Sequence, residues 1–113
     1  MNAAAIKATA ARALVHVENV CSHWLPDGKK SGTEWEIGDR FGTPGKSLKI
    51  HLSGTKAGMC ADFSTGDKGG DLVSLVAFVD GISQGEAARK LAEFLGLAID
   101  DEPARPQQAT QAK

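Results

Sequence analysis

The stretch STGDKGGD, Ser64 to Asp71, sets Gly66, Gly69 and Gly70 around Lys68, between Asp67 and Asp71, directly before an apolar run. Such a loop can gather backbone N–H groups around a phosphate at a helix N-terminus, close a metal site, or make a tight turn. Nucleotide cradling of the Walker kind requires G-x-x-x-x-G-K-[ST]; here Lys68 precedes the glycine pair and no hydroxyl follows it. Asp67 and Asp71 also bring negative charge to the place a phosphate would occupy. These residues favour a turn in which Asp71 caps the next helix, with weak contact between Lys68 and a nucleic-acid phosphate left open.

The metal-ligating residue types are Cys21, His23, His51 and Cys60, with His16 further off. Structural zinc draws its ligands from close knuckles such as C-x-x-C, and the chain has none. Cys21 and His23 are two apart on a helix and do not face the same way. Cys60 and His51 fall on strands that can pair, which keeps a site open between them. Asp62, Asp67 and Asp71 have the chemistry for magnesium, but Asp71 has a cap to make and Asp62 is expected at an outward, solvated strand position. No G-x-S-x-G elbow, no H-E-x-x-H and no tyrosine occurs, so the residues give no catalytic constellation. The expectation is a non-enzyme with no metal and no cofactor.

Charge segregation points elsewhere. Lys plus Arg total 13 and Asp plus Glu 14, so the whole chain exerts no bulk attraction on DNA or a membrane. Between Gly28 and Gly70, however, Lys29, Lys30, Arg40, Lys46, Lys49, Lys56 and Lys68 outnumber Glu34, Glu36, Asp39, Asp62 and Asp67. Trp24, Trp35, Phe41 and Phe63 are interleaved with them, and an exposed aromatic can stack on a base. Trp35 and Phe63 are expected in the core, Phe41 exposed in its glycine-rich loop. The candidate nucleic-acid contacts are Lys29, Lys30, Arg40, Phe41, Lys46, Lys49, His51 and Lys68, with Arg40 and Lys49 solvated.

These residues are positioned by the elements of one α+β domain, as 113 residues with 42% hydrophobic and 24% charged content support a single modest core. Ile6, Ala10, Ala13, Leu14, Val17, Val20, Cys21 and Trp24 recur at helical spacing and predict one N-terminal amphipathic helix. TEWEI (Thr33–Ile37), SLKIHL (Ser47–Leu52) and MCADF (Met59–Phe63) predict an antiparallel sheet of about three strands. In it Trp35, Ile37, Leu48, Ile50, Leu52, Met59, Ala61 and Phe63 point inward. Two helices follow, one from Asp71 to Gly81 and one from Ser83 to Gly96, each with its cap and stop. The domain is expected over 1–99. The remainder, 100–113, is too polar to bury surface and reads as a disordered tail or linker. No run reaches the ~20 apolar residues of a membrane span. The spaced apolar positions near the N-terminus do not make a signal peptide, and two cysteines make no disulfide framework. The expected location is cytoplasmic.

The order of parts resembles the N-terminal zinc-ribbon domain of bacterial, phage and plasmid DNA primases, over about Trp24 to Leu97. PGKSLKI looks like that family's strand start. Gly69, Gly70 and Asp71 match its Gly-Gly-Asp turn, and Glu86, Ala87, Leu91 and Ala92 match its last helix. Counting back from Gly69, the family's Cys-x-x-Cys positions hold Phe63 and Gly66, and LPDGKKSGTEW supplies none of the upstream ligands. The resemblance thus implies a zinc-less variant, in which packing by Trp35 and Phe63 replaces the metal. It further implies a non-catalytic module that contacts single-stranded DNA template in replication of a bacterial or mobile element. A separate Toprim domain would do the chemistry, and partners would be a helicase or the primase catalytic domain. The alternative is a protein-interaction module of the same fold that docks on a replication or mobile-element protein without touching DNA.

Overall fold

The computed structural model of the protein describes residues 2–97; the tail expected over 100–113 lies outside the described residues. Chain order is α1 (Ala3–Ala13), a 3₁₀ turn (Leu14–His16), α2 (Val17–Trp24), β1 (Lys29–Ser31), β2 (Glu34–Ile37), β3 (Leu48–His51), β4 (Cys60–Asp62), β5 (Lys68–Gly69), α3 (Leu72–Asp80) and α4 (Gln84–Leu95). The strands form one antiparallel meander in the order β1-β2-β3-β4-β5.

The N-terminal helix is two helices. Alanine-rich α1 has high intrinsic helicity and is capped by the Asn2 side chain, which accepts the Ala5 N–H at 2.8 Å. The 3₁₀ turn then tightens the winding and shifts the helical phase. Val17, Val20 and Cys21 stay in the core, while Leu14 is left at its margin and Val15 is 83% exposed.

The two C-terminal helices follow their local signals. The Asp71 carboxylate accepts the Ser74 N–H at 2.8 Å at the start of α3. Ser83 Oγ accepts the Glu86 N–H at 3.2 Å at the start of α4. The helices stop at Gly81 and Gly96. Gly69 has a packing reason to lack a side chain, since a Cβ there would meet Cys60 Sγ at 2.9 Å and Ser74 Cβ at 3.1 Å. This close approach seats α3 directly behind β5.

The sheet has five strands because two polar stretches pair at its edges. Gly32, at φ 60°, allows the tight turn that folds β1 back on β2, with Ser31 opposite Glu34. β5 pairs Lys68 with Ala61 and Gly69 with Cys60. One face of the sheet supplies Ile37, Leu48, Ile50 and Cys60 to the core, where they join Ala13, Val20, Leu72, Leu75, Ala88 and Leu91 from the helices.

In β4 the inward and outward residues are exchanged relative to the sequence expectation. Ile50 pairs with Cys60 and Leu48 with Asp62, so Cys60 and Asp62 face the core. Met59 is 40% and Phe63 72% exposed, and Ala61 is half-buried. The turn chemistry of Asp62 accounts for this. Its carboxylate, in a residue only 2% exposed, accepts the Ser64 N–H at 2.9 Å and the Ser64 hydroxyl at 2.7 Å. An Asx turn that closes the β4–β5 hairpin thereby satisfies the buried charge.

That arrangement has a pH signature. The Ser64 hydroxyl, then the Ser64 and Thr65 backbone N–H groups, hold the Asp62 carboxyl below its ordinary value of 3.8. A carboxyl depressed by folding adds stability above its unfolded value, and the contribution is lost as pH falls through the folded value. Asp62→Ala is therefore expected to cost about 2 kcal/mol at neutral pH, with the gap from wild type shrinking below about pH 4. Urea unfolding at both pH values reads it out; a gap independent of pH would show that the charge of Asp62 is not what holds the turn.

Candidate nucleic-acid interface

Register places the sequence's candidates on one side or the other of the sheet. Opposite residues in an antiparallel pair share a face, so Lys29, Glu36, Lys49, Ala61 and Lys68 form one row across all five strands on the side away from the helices. A second row runs through Ser31, Glu34 and His51. The His51 N–H donates to Met59 O at 2.9 Å, which extends this row to Met59. A third pairs Ser47 with Phe63, whose N–H donates to Ser47 O at 2.8 Å. Alternation thus puts the exposed Phe63 ring on the same face as Lys49 and Lys68.

The centre of this face is ion-paired. Lys49 Nζ lies 2.5 Å from Glu36 Oε2 and 3.9 Å from Glu34 Oε1, and His51 Nδ1 is 3.9 Å from Glu34 Oε2. The Lys49 hydrogen bond holds the Glu36 carboxyl below its ordinary value, and reciprocally raises Lys49. Lys49, expected to be solvated, is 27% exposed in its side chain and committed to its neighbours.

The edges are different. Lys29, Lys46, Lys56 and Lys68 are exposed, and none forms an ion pair among the described residues. Lys29 and Lys46 border a depression of ≈ 190 Å³ at the β1 side. Lys56 and Lys68, with His51 and Met59, border one of ≈ 310 Å³ at the β4–β5 side.

Of the eight sequence candidates, Lys29, Lys49, His51 and Lys68 share the face and Lys46 stands at its rim. Lys30, one residue out of phase, leaves on the helix side and pairs with Glu18 of α2 at 2.9 Å. Arg40 and Phe41 are on another flank. Arg40 Nη1 donates to Phe78 O at 2.9 Å, and its guanidinium lies 4.8 Å from the Phe41 ring centre and 5.5 Å from that of Phe78. Phe41 is 77% exposed, as expected. The groove beside it, ≈ 550 Å³, is walled by Asp39, Asp62 and Asp67 and repels phosphate. Sequence reasoning missed Phe63, Met59 and Lys56 as members of the face. The pairing of Lys49 with Ala61, fixed by the buried Asp62, is the signal that finds the first two.

By register His51 lies on the open side of the sheet and Cys60 on the core side, so the pairing of β3 with β4 does not bring the two to one face. Cys21 and Cys60 are buried free thiols, and burial pushes them up to about 12 and about 11. Among the described residues no group of three His, Cys, Asp or Glu side chains is placed to hold a metal ion. Phe63, expected to pack in the core, is exposed instead. No helix of the described residues is long and apolar enough to cross a membrane.

Protein-family models, curated proteins and solved structures were compared with the chain, and none matches.

Proposed function

We propose that the protein is a non-catalytic nucleic-acid-binding module that holds single-stranded DNA on the open face of its sheet. One observation carries this. The face has unpaired lysines at both edges and an exposed aromatic, Phe63, between them, which is the combination of cationic groove and stacking platform that single-strand binders use. The resemblance to the primase N-terminal domain supports a place in DNA replication, in the cytoplasm, beside a helicase or a primase catalytic domain.

Fluorescence anisotropy with single- and double-stranded DNA at about 50 and 200 mM salt tests it. The expected result is micromolar binding at low salt that prefers the single strand. Its logarithmic salt slope is about −1.4 to −2.8, at roughly −0.7 for each of two to four lysine–phosphate contacts. Absence of binding at low salt would overturn the reading in favour of protein docking, for which the exposed Phe41 beside its acid-walled groove is the surface.

A further inference from the structure

A phosphate has no favourable position at the centre of the open face. Lys49 already has Glu36 and Glu34, so an anion there meets two carboxylates. Of the unpaired lysines, Lys29 and Lys68 stand on the outermost strands. Lys29 on β1 and Lys68 on β5 are the two ends of one row, four inter-strand steps apart, which is about 19 Å at the usual strand spacing. A polyanion that follows this row passes over Glu36 with Glu34 in the adjacent row, and its phosphates must avoid both.

We infer that a single strand crosses the sheet at right angles to the β-strands, with phosphates on the lysine edges and bases over Glu34 and Glu36, and that these carboxylates select bases carrying an exocyclic amino group. The inference rests on the nucleic-acid reading above and gives it a specificity. A carboxylate is acceptor-only. It pairs with the amino group of cytosine, as in duplex readout, but faces the 4-keto oxygen of thymine or uracil as acceptor against acceptor. The two side chains are suited to the task because they are held in place. Glu36 is 13% exposed and Glu34 29%, and Lys49 ties them together from the neighbouring strand. The same hydrogen bond holds the Glu36 carboxyl below its ordinary value. Lone pairs remain on both carboxylates for a base to use.

The test compares fluorescent oligo-deoxycytidine with oligo-deoxyuridine of equal length, in slightly alkaline buffer at low salt. The two bases share ring size and differ on the Watson–Crick edge at the 4-position, amino against keto, and at N3, acceptor against N–H donor; a carboxylate that met N3 instead would prefer uridine, which likewise overturns the inference. The cytidine strand is expected to bind about five- to tenfold tighter. The double variant Glu34→Gln, Glu36→Gln offers both a donor and an acceptor, so it should bind both strands with a ratio near one. Melting curves establish that the variant is folded. Equal binding of the two strands by the wild type overturns the inference, and leaves the nucleic-acid reading standing. So does a variant that binds both strands more tightly but keeps the ratio, since the carboxylates would then act only as repulsive charge. Failure of the wild type to bind either strand overturns both.

Discussion

Trp35→Ala and Phe63→Ala are expected to diverge: the first loses about 3 kcal/mol of stability, the second less than about 0.5 kcal/mol. The Trp35 ring is half-buried against the core, and its Nε1–H donates to Leu25 O at 3.1 Å. It also lies so close over Gly28 that a Cβ there would be 2.2 Å from the indole nitrogen. Truncation would open a cavity under the β1–β2 hairpin and remove one of the two donors to Leu25 O, leaving only the Gly28 N–H at 3.0 Å. Phe63 is 72% exposed in the β4–β5 connection and has no such packing to lose. Its contribution lies in binding: removing a stacking aromatic costs about 1–3 kcal/mol per base, so DNA affinity should fall at least fivefold at unchanged stability. Urea unfolding and anisotropy on both variants read this out. A Phe63→Ala protein as destabilised as Trp35→Ala would return Phe63 to the core and remove the aromatic from the interface.

The contrast between these two residues marks what was legible in the sequence. α3, α4 and β3 could be read because their signals are local. Asp71 and Ser83 cap, Gly81 and Gly96 stop, and Leu48, Ile50 and Leu52 alternate with polar neighbours. β4 is three residues long, too short for alternation to set its phase, and apolar ranking of Met59 and Phe63 chose the wrong side. The phase was set by a local hydrogen-bonding demand of Asp62, which outweighs the preference of two large apolar side chains for burial. β1 and β5 carry no apolar pattern at all and exist because a neighbour offers its ladder. The lysines of the site could be counted in the sequence but not assigned to a face. Lys29 and Lys30 part company only through the pairing of β1 with β2, and Arg40 is claimed by a carbonyl 38 residues away.

Reversing charge at the sheet edges and at Arg40 is expected to separate binding from folding. In Lys29→Glu with Lys68→Glu, both side chains are exposed and without ion pairs among the described residues, so stability should change by less than about 0.5 kcal/mol. Two phosphate contacts are lost and two repulsions gained. DNA affinity should therefore fall more than about tenfold, and the salt slope flatten by about 1.4. Arg40→Glu is expected to do the reverse. Phe78 O belongs to the last turn of α3, whose carbonyls lack helical partners and carry the negative end of the helix dipole. The Arg40 guanidinium supplies both a donor and a positive charge there, and a carboxylate supplies neither. Stability should drop by about 1–2 kcal/mol, while the variant, where folded, binds DNA as the wild type does. Arg89→Glu on α4 serves as the control for net charge alone and should leave both quantities in place. If Arg40→Glu abolishes binding without loss of stability, or the edge pair leaves binding intact, the strand does not cross the sheet. The first result would put the DNA on the Phe41 flank, with Arg40 outweighing the carboxylates of Asp39 and Asp67, and the second would move the phosphate contacts off the two sheet edges.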